Sequence, residues 1–452
     1  MTASERSEPR ALALRGGRVL DPASGTDARL DVVVRDGTVV EVGTDVDTAG
    51  AEVLDVSGCW VTPGFVDLHV HLREPGFEDA EDVATGTAAA AAGGFTAVCP
   101  MANTDPVTDS AAVAELVWRR GREVGLADVF PVGSITKGMR GSELTEQIEL
   151  YRSSARVDCF SDDGLPVADA LVMRRALQYA THVDAVICNH SEDPSLTADA
   201  QMNEGAVSSV LGLPGWPHEA EEVMIARDLI LADGVGARLH VPHVSTAGSV
   251  ELIRVAKARG VRVTAEVTPH HLSLEDEVIR SYDPVYKVNP PLRTARDVQA
   301  LRTALVDGTI DAVATDHAPH SPEKKDQEWE HAPCGMLGLE TAFAVVHTEM
   351  IATGLLDPLT AIARFTTGPA GVRDVGDHGG PIAAGASAHL TVLDPSSTWS
   401  VDPLALHSRS RNSPFASRTL TGRPVHTLLG GRFTLRDGRV TAGAPRQMEV
   451  RA

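Results

Sequence analysis

Histidine and aspartate side chains follow several short apolar segments of this 452-residue chain, in a pattern that suits metal binding. His69 and His71 lie in an Asp-Leu-His-Val-His run, and side chains two apart on a strand point the same way, so they form a ready pair of ligands. The other segments contribute Asp162, Asp163, His190, His243 and Asp316. Four imidazoles and two carboxylates, Asp316 and one of the adjacent Asp162 and Asp163, suit one or two divalent ions, Zn²⁺ above all. The alternative is that these histidines only pack in a core.

Eight apolar segments, most of them followed by helical material, must position these side chains. The predicted strands are 65–72, 96–101, 128–133, 159–163, 185–190, 238–244, 263–269 and 312–316, and helices are predicted at 79–92, 111–123, 219–232 and 249–258. Eight such units predict an α/β fold, a (β/α)₈ TIM barrel, whose active site lies at the carboxyl ends of the strands. An open doubly wound sheet is the alternative, but no G-x-G-x-x-G follows a first strand.

Both ends of the chain differ from the part between them, because they consist of short β-rich segments and turns. These segments are 11–20, 30–35, 38–42 and 52–56 near the start, and 388–393, 425–429 and 432–435 near the end. Asp36-Gly37, Gly430-Gly431 and Asp437-Gly438 stand at turn positions between them. The ends therefore predict strands outside the barrel.

Composition and charge limit the partners. The 40 basic and 62 acidic residues give a net charge of −22, which disfavours nucleic acid and anionic membranes. No apolar run is long enough to span a bilayer, and the polar N-terminus lacks the apolar core of a secretory signal. The five cysteines are scattered without a C-x-x-C pair, which is typical of buried thiols in a reducing compartment. We expect a cytoplasmic protein with a small-molecule substrate.

Several segments, in order along nearly the whole chain, resemble dihydroorotases of the first, bacterial class in the amidohydrolase superfamily. They are 65–76 (FVDLHVHLREPG), 101–104 (MANT), 160–164 (FSDDG), 243–246 (HVST), 266–271 (EVTPHH), 289–293 (NPPLR) and 314–320 (ATDHAPH). Ala102 departs from the proline of many relatives. The resemblance implies a metal-dependent barrel over 63–375 and a small composite β-sandwich domain built from 1–62 and 376–452.

The resemblance also implies roles for the clustered residues. His69 and His71 would bind one Zn²⁺ and His190 and His243 a second, so two ions are expected. Asp163 would bridge them, although spacing alone leaves Asp162 open, and Asp316 would bind the first ion and act as general acid/base. His270, His271 and His317 would support the ligands, and Glu192 would orient a nearby group or lie in solvent.

The implied reaction interconverts N-carbamoyl-L-aspartate and L-dihydroorotate, the third step of pyrimidine biosynthesis, with water activated by the metal as the nucleophile. Arg73 lies two residues beyond His71 and is therefore expected to face the same side of the strand, and a guanidinium matches the substrate's carboxylate. By resemblance, His71, Asn103 and His320 share in substrate binding, and Asn289, Cys334 and Gly335 contact the ring. The alternative for Arg73 is an ion pair with Glu74 or another nearby acid.

Two other functions remain as alternatives. Hydantoinases and dihydropyrimidinases bridge their metals with a carboxylated lysine at the end of strand four. No lysine lies between Lys137 and Lys257, and Lys137 itself is interpreted as a surface residue. A non-catalytic homologue that scaffolds aspartate transcarbamoylase would be expected to lack metal ligands, whereas all six are present. Expected protein partners are further copies of the chain and aspartate transcarbamoylase.

Overall fold

The structure is a computed structural model and describes residues 11–445. The polar segment 1–10, on which the prediction of no secretory signal depends, lies outside the described residues. Within the described range, every helix is too short or too polar to cross a membrane.

Strands dominate the two ends of the chain and alternate with helices between them. The first seven are β1 (Ala11–Arg15), β2 (Arg18–Asp21), β3 (Thr26–Arg29), β4 (Asp31–Arg35), β5 (Thr38–Gly43), β6 (Glu52–Asp55) and β7 (Trp60–Pro63). The next ten are β8 (Phe65–Val70), β9 (Phe95–Pro100), β10 (Asp128–Val129), β11 (Cys159–Phe160), β12 (Val186–Cys188), β13 (Met202–Asn203), β14 (Gly215–Trp216), β15 (Arg238–Val241), β16 (Val263–Val267) and β17 (Ala312–Val313). The last four are β18 (Leu390–Ser400), β19 (Thr419–Leu429), β20 (Arg432–Arg436) and β21 (Arg439–Val440).

Eight of these strands close into a parallel barrel. The sheets β8-β9-β10 and β11-β12-β15-β16-β17 are parallel throughout. Parallel bridges between Gly133 and Phe160 and between Val70 and His317 join the two sheets at both edges. The predicted (β/α)₈ barrel is therefore confirmed, and all its strands end at the same rim.

The helices cover the outside of the barrel. They are α1 (Val83–Ala92), α2 (Ala111–Val124), α3 (Gln147–Arg152), α4 (Ala170–Ala180), α5 (Ala206–Leu211), α6 (Glu219–Val235), α7 (Ala247–Ala258), α8 (Ala295–Asp307), α9 (Pro322–Lys325), α10 (Ala342–Val346), α11 (Pro358–Phe365) and α12 (Thr367–Ala370). Short 3₁₀ turns lie at Lys137–Met139, Thr181–Val183, Asp276–Ser281, Pro284–Tyr286 and Pro403–Ala405, and a π-helical turn at His347–Ile351. Polar caps fix several helix starts: Thr246 accepts from the backbone N–H of Ser249 and so begins α7 just after His243.

The two chain ends form two sheets beside the barrel. One has the strand order β5-β4-β1-β6, and the other, β21-β20-β19-β18-β7-β2-β3, mixes strands from both ends of the chain. Buried apolar side chains of both sheets, among them Leu14, Val32, Val61, Leu390 and Leu428, form one cluster. A separate, larger cluster packs the barrel strands against their helices, and a smaller one fills the barrel interior.

The strands differ from the sequence predictions mainly in length. The predicted segment 159–163 is a strand only at Cys159–Phe160, and 312–316 only at Ala312–Val313, because the chain bends to present polar side chains at the rim. The predicted segment 11–20 is two strands, broken at Gly16, where φ is +77° and a Cβ would lie 2.4 Å from the Ser57 hydroxyl oxygen.

A buried ion pair joins the chain after α12 to the amino-terminal end of the barrel. The Arg373 Nε lies 2.9 Å from an Asp158 carboxylate oxygen, and another guanidinium nitrogen donates to the Phe130 carbonyl oxygen. The backbone N–H of Asp374 donates to the other Asp158 oxygen. Both charged side chains are buried, so each depends on the other for compensation.

We expect Arg373→Met to destabilise the fold by about 3–5 kcal/mol, because Asp158 keeps a buried charge without its partner. Arg259→Met is the matched control, because Arg259 pairs with Asp233 on the surface and should lose less than about 1 kcal/mol. Urea unfolding of both variants measures the difference. Equal losses of unfolding free energy in the two variants would show that burial does not increase the contribution of the Arg373–Asp158 pair to stability.

Candidate active site

His69, near the end of β8, and His71, just after it, lie side by side at the barrel rim. The His69 Nδ1 donates to a Glu266 carboxylate oxygen at 2.9 Å, and the His71 Nδ1 donates to the Asn103 side-chain oxygen at 2.9 Å. Each ring therefore carries its proton on Nδ1, which leaves Nε2 to face the barrel axis. His71 lies just beyond the end of the strand, where its N–H donates to the carbonyl oxygen of His317.

The Asp163 carboxylate lies among four imidazoles. One oxygen is 3.4 Å from His69 Nε2, 3.5 Å from His190 Nδ1 and 3.5 Å from His243 Nε2, and the other is 3.5 Å from His71 Nε2. Asp163 therefore belongs to two buried groups of possible metal ligands, one with His69 and His71 and one with His190 and His243.

The neighbouring Asp162 points away from this cluster. Its carboxylate accepts from the backbone N–H groups of Ile135 and Thr136 and from the Thr136 hydroxyl group. Burial raises the pKa of Asp162 to about 6 despite these bonds. Asp162 thus holds the loop after β10, and of the two adjacent aspartates it is Asp163 that faces the imidazoles.

One buried and one half-buried carboxylate orient the rings from behind. Glu266, on β16, accepts from His69 and, at 3.0 Å, from the His240 Nε2. Glu192 accepts from the His190 Nε2 at 3.1 Å and from the Asn289 amide nitrogen at 2.8 Å. Although burial opposes ionisation, these bonds lower the pKa of Glu266 and of Glu192 to about 2. No role was expected for Glu266 or His240. A charged side chain and an imidazole within otherwise apolar strands are the features of the sequence that could have indicated one.

Asp316, just after β17, completes the ring of polar groups. One carboxylate oxygen lies 3.1 Å from His71 Nε2 and 3.6 Å from His69 Nε2. Burial opposes ionisation of Asp316, but its contact with His71 and the other neighbouring imidazoles lower its pKa below the usual range, so the carboxylate is ionised. Asp316 and His243 both have positive φ values, 47° and 33°, a backbone conformation that clusters at functional sites.

These donors fit divalent metal ions. The His69 Nε2 is fully buried without a hydrogen-bond partner, an arrangement that is costly unless another group occupies that side. Imidazole nitrogens with a shared carboxylate suit ions of borderline softness. Carboxylate and amide groups behind the rings are the usual second layer of such sites. The chain therefore has the side chains for two adjacent metal positions.

An open cavity of about 240 Å³ adjoins the cluster. It is lined by His71, Arg73, Asn103, Asp163, Gly164, His190, Asn289, Asp316, Ala318, His320, Cys334 and Gly335. All the residues predicted from the sequence to contact substrate thus line this one cavity. Their individual roles stay predictions.

Arg73 reaches the cavity by an unexpected route. The strand ends at Val70, so strand alternation does not orient Arg73; a φ of 63° turns the chain instead. Its Nε donates to the Pro319 carbonyl oxygen, and burial lowers its pKa to about 10. The alternative pairing with Glu74 is not observed, because Glu74 lies 3.3 Å from the Arg120 Nε instead.

The chain after β17 supplies the remaining cavity residues. The His320 Nε2 donates to the Cys334 carbonyl oxygen at 2.7 Å, and burial, with Arg73 close by, lowers its pKa to about 3. At Gly335 φ is +137°, and a Cβ there would lie 2.8 Å from His320 Nε2. Asn412, which the sequence analysis missed, accepts from the His320 N–H and donates to the Gly335 carbonyl oxygen.

The three histidines that were expected to support the ligands, His270, His271 and His317, do not contact the Asp163 carboxylate. His271 contacts the Thr268 hydroxyl group and the Pro290 carbonyl oxygen, and His317 contacts Glu81. Burial lowers the pKa of His271 to about 4, and burial with His271 close by lowers that of His270 well below its usual value. Lys137 is half exposed and pairs with Glu143, as expected of a surface residue.

The chain is similar in sequence to known proteins. A family described as "Dihydro-orotase-like" matches residues 58–249. A protein named dihydroorotase from Streptomyces coelicolor is 55% identical over 429 residues, 95% of this chain and 99% of that protein. The chain belongs to the dihydroorotase family. Another dihydroorotase, from Mycobacterium tuberculosis, is 51% identical over 92% of this chain and 97% of its own.

Solved structures support the fold of this dihydroorotase-family chain. An L-hydantoinase (dihydropyrimidinase) from Arthrobacter aurescens has a TM-score of 0.85 at 24% identity and covers 96% of this chain and 97% of its own. A D-hydantoinase from a Bacillus species covers the same shares, with a TM-score of 0.84 at 26% identity. The amidohydrolase-type barrel with flanking sheets is therefore confirmed.

The two adjacent aspartates of this dihydroorotase-family chain give a matched test. We expect Asp163→Ala to lower bound metal at both positions, because its carboxylate contacts both histidine groups. Asp162→Ala should retain metal but lose about 2 kcal/mol of stability, since the backbone donors of Ile135 and Thr136 lose their acceptor. Metal analysis by mass spectrometry and thermal unfolding measure the two effects. Full metal content in Asp163→Ala would contradict the assignment.

Proposed function

We propose that this chain is a zinc-dependent dihydroorotase that interconverts N-carbamoyl-L-aspartate and L-dihydroorotate, the third step of pyrimidine biosynthesis. Membership of the dihydroorotase family supports the reaction class. The observation that carries the substrate assignment is the half-buried guanidinium of Arg73. It lines the same cavity as Asp163 and Asp316 and has no carboxylate partner within residues 11–445. Such a group suits the carboxylate that dihydroorotate carries outside its ring.

The metal ligands in this proposal are His69 and His71 for one ion, His190 and His243 for the other, Asp163 between them and Asp316 on the first. Bound Zn²⁺ ions would lower the pKa of water and polarise the scissile carbonyl group. Glu266 and Glu192 keep the imidazole protons on the far ring nitrogens, so that the near nitrogens remain free to bind.

Asp316 is the general acid/base. Its carboxylate is ionised and lines the cavity, so it can accept a proton from the attacking water. It would then deliver that proton to the ring nitrogen as the amide bond breaks. In ring closure the same carboxylate takes the proton from the carbamoyl nitrogen, as microscopic reversibility requires.

Substrate binding uses residues of the same cavity, beside the metal-ligand histidines. Arg73, Asn103 and His320 would hold the exocyclic carboxylate, with His71 nearby. The low pKa of His320 keeps its ring neutral, so it binds by hydrogen bonds while Arg73 supplies the charge. Asn289, Cys334 and Gly335 would contact the ring edge.

The hydantoinase-like alternative is supported only by the shared fold. At the position where such enzymes use a carboxylated lysine, this chain presents Asp163, and its nearest lysines in sequence, Lys137 and Lys257, pair with Glu143 and Asp311. A non-catalytic scaffold homologue would not need a complete ligand set. The deciding assay measures ring closure of carbamoyl aspartate, with hydantoin and allantoin as comparison substrates, and faster turnover of either comparison ring would reject the proposal.

The remaining predictions concern the whole protein. We propose that 1–62 and 376–452 form one small β domain around the 63–375 barrel, because strands from both ends share a sheet. Association with further copies and with aspartate transcarbamoylase, and a cytoplasmic location, also remain proposals. Gel filtration with and without aspartate transcarbamoylase tests the two associations.

The acid/base role predicts the effect of Asp316→Asn. The amide has nearly the same volume but cannot accept a proton, so we expect kcat to fall by about 10²–10⁴-fold. The KM for dihydroorotate should change much less. Steady-state kinetics with metal-replete enzyme measure both constants, and an unchanged kcat with weakened binding would contradict the assignment.

The carboxylate-anchor role predicts the effect of Arg73→Met. Methionine keeps the apolar stem but removes the charge, at a cost of about 2–5 kcal/mol in a desolvated site. The kcat/KM for dihydroorotate should therefore fall by about 30- to several-thousand-fold. Dihydrouracil, which lacks the carboxylate, is the comparison substrate and should lose far less. Equal losses on both rings would mean that Arg73 supports the metal site or the fold.

A further inference from the structure

The segment 318–335 forms one wall of the cavity and is tied at both ends to the barrel. The backbone N–H of Ala318 donates to the carbonyl oxygen of Met336, and a parallel bridge joins Met336 to His317. Between these ends the segment contains α9 and carries His320, Cys334 and Gly335 into the cavity. We call it the cavity loop.

Two buried lysines hold the cavity loop through its carbonyl groups. The Lys325 Nζ donates to the carbonyl oxygens of Pro333, at 2.8 Å, and of Lys287, at 3.0 Å. The Lys287 Nζ donates to those of Trp329, at 2.7 Å, and Glu330, at 3.2 Å. The Lys287 carbonyl oxygen also accepts from the N–H of Gly335. Both ammonium groups thus bind backbone carbonyl groups that lie close in sequence to, or are hydrogen-bonded to, the cavity-lining residues Cys334 and Gly335.

These two lysines differ from the other three in the chain. Lys137, Lys257 and Lys324 each pair with a carboxylate, those of Glu143, Asp311 and Asp79. Within residues 11–445, no carboxylate lies within 4.0 Å of Lys287 or Lys325, although both are buried. The lysines without a carboxylate are therefore the buried ones beside the cavity.

A buried charge without a counter-charge is costly, so its position calls for an explanation. Burial lowers the pKa of Lys325 to about 7, and it also lowers that of Lys287. Asp283 and Glu330 lie in the neighbourhood but form no ion pair with either ammonium group. Arg73, on the same cavity, likewise donates to a cavity-loop carbonyl, that of Pro319. Two lysines and an arginine thus lie around one loop. The lysines donate to carbonyl groups, Arg73 also lies 3.5 Å from the His320 Nε2, and within residues 11–445 none of the three pairs with a carboxylate.

We propose that Lys287 and Lys325 are specificity-determining residues whose charges favour a substrate with a carboxylate outside its ring. The inference rests on the proposed dihydroorotase function and extends it. Arg73 would contact the carboxylate directly, while the two lysines act from behind the loop: they fix Cys334 and Gly335 and raise the electrostatic potential of that wall. A bound carboxylate supplies the negative charge that the described protein does not place there.

The test compares Lys325→Met with Lys324→Met, its exposed neighbour, which pairs with Asp79 on the surface. We expect Lys325→Met to raise the KM for dihydroorotate about 10–100-fold with kcat within about 3-fold of wild type. Lys324→Met should leave both constants within about 2-fold. Lys287→Met is measured in parallel, so that one poorly folded variant does not end the test.

A milder variant separates charge from hydrogen bonding. Lys325→Gln keeps an amide donor but removes the charge, and it should also raise KM. A wild-type KM in this variant would overturn the proposal, since hydrogen bonds alone would then account for the lysine. Loss of bound metal or a large fall in the thermal midpoint, with kcat and KM lost together, would show a merely structural role and also overturn it.

The outcomes also distinguish the two proposals. If the wild-type enzyme does not turn over dihydroorotate, the proposed function is wrong and the lysine assignment fails with it. If the wild type is active and both Met variants keep its KM, only the lysine inference is wrong. A raised KM with retained kcat, metal and thermal midpoint supports both.

Discussion

The placement of one carboxylate, that of Asp163, within 3.5 Å of four imidazole nitrogens is the constraint on which the site depends. Four buried imidazoles repel one another whenever they are protonated, so they need either a shared anion or, in the neutral form, cations bound to their free nitrogens. No single element can supply these groups. Only a closed barrel brings the ends of the first, fourth, fifth and sixth strands to one point, and the bridges at Val70 and Gly133 close it.

A further consequence of that constraint is a layer of acids and an amide behind the rings, of which Glu266 is buried and the others are half-buried. Glu266, Glu192 and Asn103 each accept a hydrogen bond from one ring nitrogen, and each thereby fixes which nitrogen faces Asp163. The low pKa values of both glutamates reflect the same bonds, because a carboxylate that accepts from imidazole is stabilised as the anion. Ligand orientation is thus set before any ion binds, which reduces the reorganisation that binding would require.

Sequence periodicity predicted the eight barrel strands and their order, because buried parallel strands are apolar runs of a recognisable length. It also predicted which rim residues would meet, since every parallel strand ends at the same edge. It could not predict the partners behind them. Glu266 and His240 lie inside strands where neighbours across the sheet decide their bonds, and Asn412 reaches the cavity from a distant segment. The strand-based argument for Arg73 was wrong in its geometry, because a positive φ turns it toward the cavity after the strand has ended.

The charge balance of the whole chain explains why the cations near the cavity have carbonyl partners. The protein carries a net charge of −22, and several carboxylates already lie at the site, so an anionic substrate approaches an unfavourable field. A carboxylate partner would hold Lys287 or Lys325 firmly but would also cancel its charge. Carbonyl oxygens hold the ammonium group while the net positive charge remains. A site that must attract an anion into acidic surroundings therefore gains from cations that are fixed by dipoles, and the cavity loop supplies those dipoles from its own backbone.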